Sequence, residues 1–364
     1  MISSRRGASR TFANSVACRC TAALAGGGLL LAGCSADTAT DPGSDADPDT
    51  LTVVTAFYPL HFLTEQVGSG VADATDLTPP GADPHDLELS PVDVAVIEQA
   101  DVVVYLSGFQ PAVESAVDQV SGPVEVDLAE VVDLVDTSST VRTSEGRTQD
   151  ADEHAEGDDH GQAPDADQGA DDGHDGHEHD GHGGHADDAH DHGPLDPHFW
   201  LDAERMAQAA EAVADALVQA APGETDLIRT NTDELRGALE ELDERYQSEL
   251  AGCHDEVMLV SHLAFGYLAQ RYDLAQIGIA GLDPHVEPSP AQLAEIRRVV
   301  QAEGVSTIFL DPLASPRVAE ALADELDLQV LTLDSLENRH HDDADYLDVM
   351  EMNLDALTDG LGCA

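Results

Sequence analysis

The chain has 364 residues, of which 73 are acidic and 15 are basic, and its formal net charge at pH 7 is −58. Such a surface repels phosphate backbones and anionic lipid headgroups, so we exclude nucleic acid as a partner. The length is enough for one large or two medium α/β domains, and 42% hydrophobic residues is ordinary for a folded protein.

The first 33 residues have the pattern of a secretory signal peptide. Four arginines precede a short apolar run, TAALAGGGLLLA (21–32), which is too short to span a bilayer. The run ends in LAGC (31–34), which resembles the lipobox of bacterial lipoproteins and implies that Cys34 is acylated. A plain cleaved signal peptide is the alternative. Residues 34–50 are polar and would form a flexible tether, so we expect a protein anchored by lipid outside the cytoplasmic membrane.

The folded part begins at residue 51 with strands and helices in alternation. A helical stretch lies at 91–99, and the strand candidates, rich in β-branched residues, are LTVVTAF (51–57), DATDL (73–77), DVVVYL (101–106) and VEVDL (124–128). Alternation of this kind favours a parallel sheet with helices on its faces.

Residues 150–193 form a polar insert with nine histidines, sixteen acidic residues and no aromatic residue. It cannot bury a core, so we expect it to be disordered. A flexible segment loses conformational entropy whenever it binds an ion, so its ligands should hold several ions weakly. An acidic loop that only solvates the protein is the alternative. The histidines that we expect to gather metal are His174, His177, His179, His182, His185, His190 and His192.

After the insert the chain is first helical. Asp202 can cap a helix that Pro222 and Gly223 end, and a second helix follows over about 224–250. That helix would be roughly 40 Å long at about 1.5 Å per residue, which is enough to join two lobes. A last helix should start near residue 343, and the strand candidates between are 256–261, 274–279, 305–311 and 328–334.

We therefore expect an α/β protein with two (β/α) lobes, each with a parallel sheet, joined by one long rigid helix. A cleft between two such lobes is a natural ligand site. The boundaries that we assign are 51–222 for the N-terminal lobe with its insert, 223–251 for the connecting helix and 252–364 for the C-terminal lobe.

Two cysteines remain in the folded body, because Cys18 and Cys20 leave with the signal peptide and Cys34 carries the lipid. In an oxidising compartment an even pair favours a disulfide between Cys253 and Cys363. Metal ligation by the pair is the alternative.

Ligand-type side chains occur at four places in the folded part. His85 lies in the loop GADPHDLELSP, His198 in DPHFWLD, and His262 directly after the strand VMLVS. Asp334 ends the last strand, and Glu337 follows three residues later. Three of these places are at the carboxyl ends of predicted strands, where open parallel sheets bind ligands. Three imidazoles and a carboxylate suit tetrahedral zinc.

Five segments carry a resemblance to a known family. GADPHDLELSP, DPHFWLD, SHLAFGYLAQRY, GLDPHVEPSP and LTLDSLE resemble, in this order, motifs of the zinc-binding substrate-binding components of ABC transporters, the family called cluster A-I or cluster 9. The resemblance covers the chain from about residue 51. It implies a metal in the interlobe cleft, an ABC permease in the cytoplasmic membrane as partner, and a monomeric receptor without enzymatic activity.

The resemblance also implies a set of ligands for the transported Zn²⁺. They are His85, His198 and His262, completed by a carboxylate or water. We favour Glu337 for the carboxylate and keep Asp334 as the alternative. Manganese-binding relatives typically have an acid at the third position, so His262 points to zinc, which imidazole suits better than it suits Mn²⁺.

Other readings of the same features stay open. A third DPH motif places His285 in GLDPHVEPSP, and we expect it to be a loop histidine at the rim of the cleft. A manganese or other divalent-metal receptor of the same family is the alternative function. A secreted zinc hydrolase is a weaker one, because the sequence has no HExxH motif and no recognisable nucleophile segment.

Overall fold

The computed structural model describes residues 50–137, 195–341 and 343–363. The signal peptide, the tether with Cys34 and the histidine-rich insert lie outside the described residues. The expectations about those segments stay predictions.

Four parallel strands form the first sheet, in the order β2-β1-β3-β4. Its strands are β1 (Leu51–Thr55), β2 (Ala72–Asp76), β3 (Val102–Tyr105) and β4 (Val124–Asp127), and the helices are α1 (Tyr58–Val67), α2 (Pro91–Gln99) and α3 (Pro111–Val117). Strand β1 ends at Thr55, two residues before the predicted end, because Pro59 in the first turn of α1 favours the start of a helix.

Two helices follow the insert. Helix α4 (Ala203–Ala220) is capped by Asp202, whose carboxylate accepts the backbone N–H groups of Glu204 and Arg205. Helix α5 (Thr225–Leu250) has 26 residues and packs against α4 and α1. Its buried side chains include the predicted stripe Leu235, Leu239, Leu242, Tyr246 and Leu250.

The second sheet is also parallel, in the order β6-β5-β7-β8. Its strands are β5 (Val257–Val260), β6 (Ala275–Gly278), β7 (Thr307–Leu310) and β8 (Gln329–Thr332), and the helices are α6 (Gly266–Arg271), α7 (Pro290–Glu303), α8 (Pro316–Leu326) and α9 (Tyr346–Gly360). Helix α9 packs back onto α5, where the hydroxyl of Tyr246 donates a hydrogen bond to the carbonyl of Met350.

The predicted fold class is confirmed: two parallel-sheet α/β lobes are linked by a helical connection. One hydrophobic core extends from the first sheet through α4 and α5 to Phe265 and α9, and a smaller core lies within the second lobe around Leu259 and Ile308. The boundaries between the lobes stay a prediction.

Cys253 and Cys363 form a disulfide across a sequence separation of 110 residues. The bond ties the end of α9 to the segment that leads into β5, an interior strand of the second sheet. Among the helices of the described residues, none is both long and apolar enough to cross a membrane.

Candidate metal site

Four side chains from distant parts of the chain meet between the two sheets. His85 lies in the loop between β2 and α2, and His198 precedes the short 3₁₀ turn Phe199–Leu201. His262 comes two residues after β5, and Glu337 lies in the segment after β8. Three of these positions follow the carboxyl ends of parallel strands, as the sequence predicts.

The carboxylate of Glu337 is the centre of the cluster. Its Oε2 atom lies 3.1 Å from Nε2 of His85, and its Oε1 atom lies 3.1 Å from Nε2 of His198 and 3.0 Å from Nε2 of His262. The potential ligand atoms of His85, His198 and Glu337 all lie within 4.8 Å of one another. His262 joins them through the carboxylate oxygen that also contacts His198.

Three of the four side chains in the cluster are buried from solvent. His198, His262 and Glu337 are fully buried, whereas the side chain of His85 is 17% exposed. Nε2 of His85 and Oε2 of Glu337 are buried without a partner in hydrogen-bond geometry, although they are only 3.1 Å apart. Buried polar atoms normally have partners, and a cation can accept electron pairs from both. The donor set therefore fits a bound metal ion.

Electrostatics keeps the central carboxylate ionised. Burial by itself would raise the pKa of Glu337, but its contacts with His198, His262 and His85 hold that pKa well below the usual range. For a histidine, burial has the opposite effect and lowers the pKa. At His198, hydrogen bonds with Asp196 and Glu337 outweigh burial and raise the pKa to about 9. A carboxylate and an imidazolium therefore share the site at neutral pH.

Asp196 fixes the orientation of His198. Its Oδ1 atom accepts from Nδ1 of the His198 ring at 2.7 Å and from the His198 backbone N–H at 3.0 Å. Donation from Nδ1 leaves Nε2 facing Glu337, which is the usual arrangement for a metal-ligating histidine. We did not predict this role from the sequence, although the DPH motif was visible there.

An aromatic wall packs beside the cluster. The ring of His198 lies 5.2 Å from the indole of Trp200, and the ring of His85 lies 4.8 Å from Phe109. The indole N–H of Trp200 donates to the carbonyl of Ser335, on the segment that carries Glu337. This wall excludes water, which strengthens the electrostatic interactions at the site.

Asp334 is not part of the cluster. Its Oδ1 atom accepts the backbone N–H of Leu336, and its backbone N–H donates to Asn353. Leu336 has a left-handed backbone, with φ of 60°, and Glu337 follows it into the cleft. Of the two acids kept open at this position, the structure brings only Glu337 to the histidines.

Asp311 is a second buried acid that sequence reasoning did not single out. It follows β7, and its carboxylate accepts the N–H groups of Leu313 and Ser335 at 2.7 Å each. Burial raises the pKa of Asp311 above its usual value, against the opposing effect of the neighbouring His262. The signal in the sequence was an aspartate directly after an apolar strand.

His285 lies at the rim rather than in the cluster, as expected. Its side chain is half-exposed, and its Nε2 atom lies 2.5 Å from Oδ2 of Asp83. The tract histidines and Cys34 lie outside the described residues.

Comparison with known proteins points to one family. A model of the family described as zinc-uptake complex component A, periplasmic, matches residues 53–360. The chain is 32% identical over 341 residues to the high-affinity zinc uptake system protein ZnuA of Bacillus subtilis, covering 92% of this chain and 94% of the relative. It is 29% identical over 312 residues to the zinc-binding lipoprotein AdcA of Streptococcus pneumoniae, covering 84% of this chain but only 55% of AdcA.

Solved structures give the same picture. The Zn(II)-bound ZnuA-like domain of Streptococcus pneumoniae AdcA has a TM-score of 0.63 at 26% identity, covering 86% of this chain and 99% of that domain. The AdcAII protein of Streptococcus pneumoniae has a TM-score of 0.67 at 26% identity, covering 86% of this chain and 100% of AdcAII. The similarity extends over both lobes, and the range matched by the family model contains all four residues of the cluster.

Proposed function

The chain belongs to the zinc-uptake complex component A family, and on that premise we propose that it is an extracytoplasmic, high-affinity zinc receptor that delivers Zn²⁺ to an ABC importer. His85, His198, His262 and Glu337 would hold the ion between the lobes. The observation that carries this proposal is the single carboxylate of Glu337, which contacts three imidazoles from both lobes.

The donor set favours zinc over manganese. Three imidazole nitrogens and one carboxylate oxygen match the tetrahedral preference of Zn²⁺, whereas Mn²⁺ prefers more oxygen donors. The names of the relatives, zinc uptake and zinc-binding proteins, support the same choice. The protein is not an enzyme, and the fourth protein ligand would occupy the position that a zinc hydrolase keeps for water.

Two further parts of the proposal concern segments outside the described residues. Cys34 would anchor the protein by lipid to the outer face of the cytoplasmic membrane, close to the permease with which proteins of this family work. The histidine-rich insert would raise the local zinc concentration, since its chain leads directly to the segment that carries His198.

Metal analysis tests the tight site directly. The protein should be purified without a His-tag and without residues 150–193, so that the insert contributes no binding. We expect one zinc per chain, held in competition with a strong chelator. His262→Ala should weaken binding by orders of magnitude, because it opens the tetrahedral shell.

His285→Ala is the matched control, since it removes another DPH histidine that lies outside the cluster. We expect at most a small change in affinity, because the half-exposed His285 side chain contacts Asp83 and none of the four cluster residues. Tight stoichiometric zinc in the His262→Ala protein would remove this assignment. A comparable loss in the His285→Ala protein would place the site at the rim instead.

A further inference from the structure

One loop covers the buried cluster. Residues 77–90, which we call the His85 loop, connect β2 to α2 and contain neither helix nor strand. His85 is the only cluster member whose side chain reaches solvent, because His198, His262 and Glu337 are fully buried. The side of the cluster nearest to solvent is therefore the side that carries this loop.

Asn338, next to Glu337, holds this loop with its whole side-chain amide. Its Oδ1 atom accepts the backbone N–H of Gly81 at 2.7 Å. Its Nδ2 atom donates to the carbonyls of Pro79 and Ala82, at 3.0 and 2.5 Å. The residues joined are at least 256 positions apart, so the bonds connect the second lobe to the first.

The buried environment of Asn338 makes the loss of these hydrogen bonds energetically costly. The side chain is only 2% exposed, so any of its amide groups that lost its partner while buried would be costly. Gly81 has a φ of 77°, a conformation that suits glycine and that turns its N–H toward Asn338. When the loop opens, the Asn338 amide and its three backbone partners must all replace their mutual hydrogen bonds with hydrogen bonds to water. Opening of the loop would therefore break these three hydrogen bonds as a set.

We propose that Asn338 is a positioning residue that latches the His85 loop over the cargo and thereby sets the rate at which zinc dissociates. The inference rests on the proposed function for its cargo. The latch itself consists only of bonds between protein groups, so it acts on opening and closing rather than on metal coordination. Its removal should accelerate dissociation more than it weakens equilibrium affinity.

The experiment uses the full chain and compares wild type with Asn338→Ala and Asn338→Asp. Zinc dissociation is followed by rapid mixing with excess chelator. Asn338→Ala should release zinc at least about tenfold faster, as expected for the loss of more than one net hydrogen bond. Asn338→Asp keeps the size of the side chain but places an oxygen against two carbonyls, so it should release zinc at least as fast.

Two control variants separate the latch from general damage. Asn231→Ala removes an amide that also donates to two backbone carbonyls, those of Val67 and Ser69, away from the cleft. We expect a wild-type dissociation rate for it. His285→Ala removes a single contact of the half-exposed His285 with Asp83 on the same loop, and it should change the rate less than the loss of the three Asn338 hydrogen bonds does.

Hydrogen exchange at the Gly81 amide provides a readout that does not depend on zinc. In metal-free protein, both Asn338 variants should change this exchange, with the amide losing its protection in Asn338→Ala. Wild-type dissociation rates in both variants, or unchanged Gly81 exchange in Asn338→Ala, would overturn the latch. If wild type itself failed to bind zinc tightly, the proposed function would fail, and the exchange measurement would still test the contact.

Discussion

Zinc binding should release about one proton from His198 near neutral pH. Hydrogen bonds with Asp196 and Glu337 raise the pKa of this histidine to about 9 against the opposing effect of burial. Zinc would take Nε2, while Nδ1 keeps its proton for Asp196. The proton displaced is therefore the one that faces Glu337.

The pKa of His198 sets how strongly zinc affinity depends on pH. At pH 7 a group with a pKa of about 9 is about 99% protonated, so zinc must displace the proton from almost every molecule. Affinity should then rise about tenfold per pH unit between pH 7 and 8, and binding at pH 7 should be about 3 kcal/mol weaker than it would be without this proton. In the metal-free protein, the same group contributes stability that is fully present below pH 6.5 and is lost as the pH rises through about 9.

Calorimetry measures the proton directly. Titrating the chain without residues 150–193 in buffers of different ionisation enthalpy gives the number of protons released per zinc. Asp196→Asn removes the charge behind the larger of the two raising contacts, so it should release fewer protons and flatten the pH dependence of affinity. Asp283→Asn is the control, because Asp283 accepts the N–H of His285 in an equivalent turn at the rim. Binding by wild type without proton release, or unchanged release in Asp196→Asn, would refute the reasoning.

Three further predictions concern the rest of the chain. Reducing the Cys253–Cys363 disulfide should lower the free energy of unfolding by up to about 5 kcal/mol, because the bond closes a 110-residue loop; intact mass under non-reducing conditions should show no free thiol. Deleting residues 150–193 should leave the tight site's affinity nearly unchanged and remove several weak sites from a zinc titration; loss of tight binding would place the site in the insert. Asp334→Asn should stabilise the metal-free protein by up to about 4 kcal/mol at pH 8 but not at pH 4, since burial raises the pKa of Asp334 to about 7, and the protein should still bind one zinc at the tight site.

Some of this architecture is readable from sequence because it depends on local periodicity. The apolar side chains of α5 repeat every three or four residues, and the structure buries them on one face. Strands that alternate with helices specify parallel sheets, and parallel sheets place the residues after their strands at one edge. His85 and His262 were predicted as site residues for this reason.

The choice between Asp334 and Glu337 could not be read in the same way. Both acids follow the same strand, so the local sequence pattern does not distinguish which of them reaches the histidines. Asn353 holds the backbone of Asp334, and a left-handed Leu336 then redirects the chain toward the cleft. Neither the distant partner nor the unusual backbone of a leucine has a signal in the local sequence. The latch at Asn338 escapes prediction for the same reason, because its partners are more than 250 positions away.

The three DPH motifs show where local sequence stops determining chemistry. In each motif the aspartate accepts the backbone N–H of the histidine, at 2.7 Å for His85, 3.0 Å for His198 and 2.8 Å for His285, so the tripeptide specifies one turn. Tertiary surroundings decide the rest. His198 is fully buried and gains a second bond from its aspartate, His85 is partly exposed beneath an aromatic ring, and His285 points across the rim to the other lobe. The proposed metal ligation therefore depends on contact with Glu337 and not on the turn that the three motifs share.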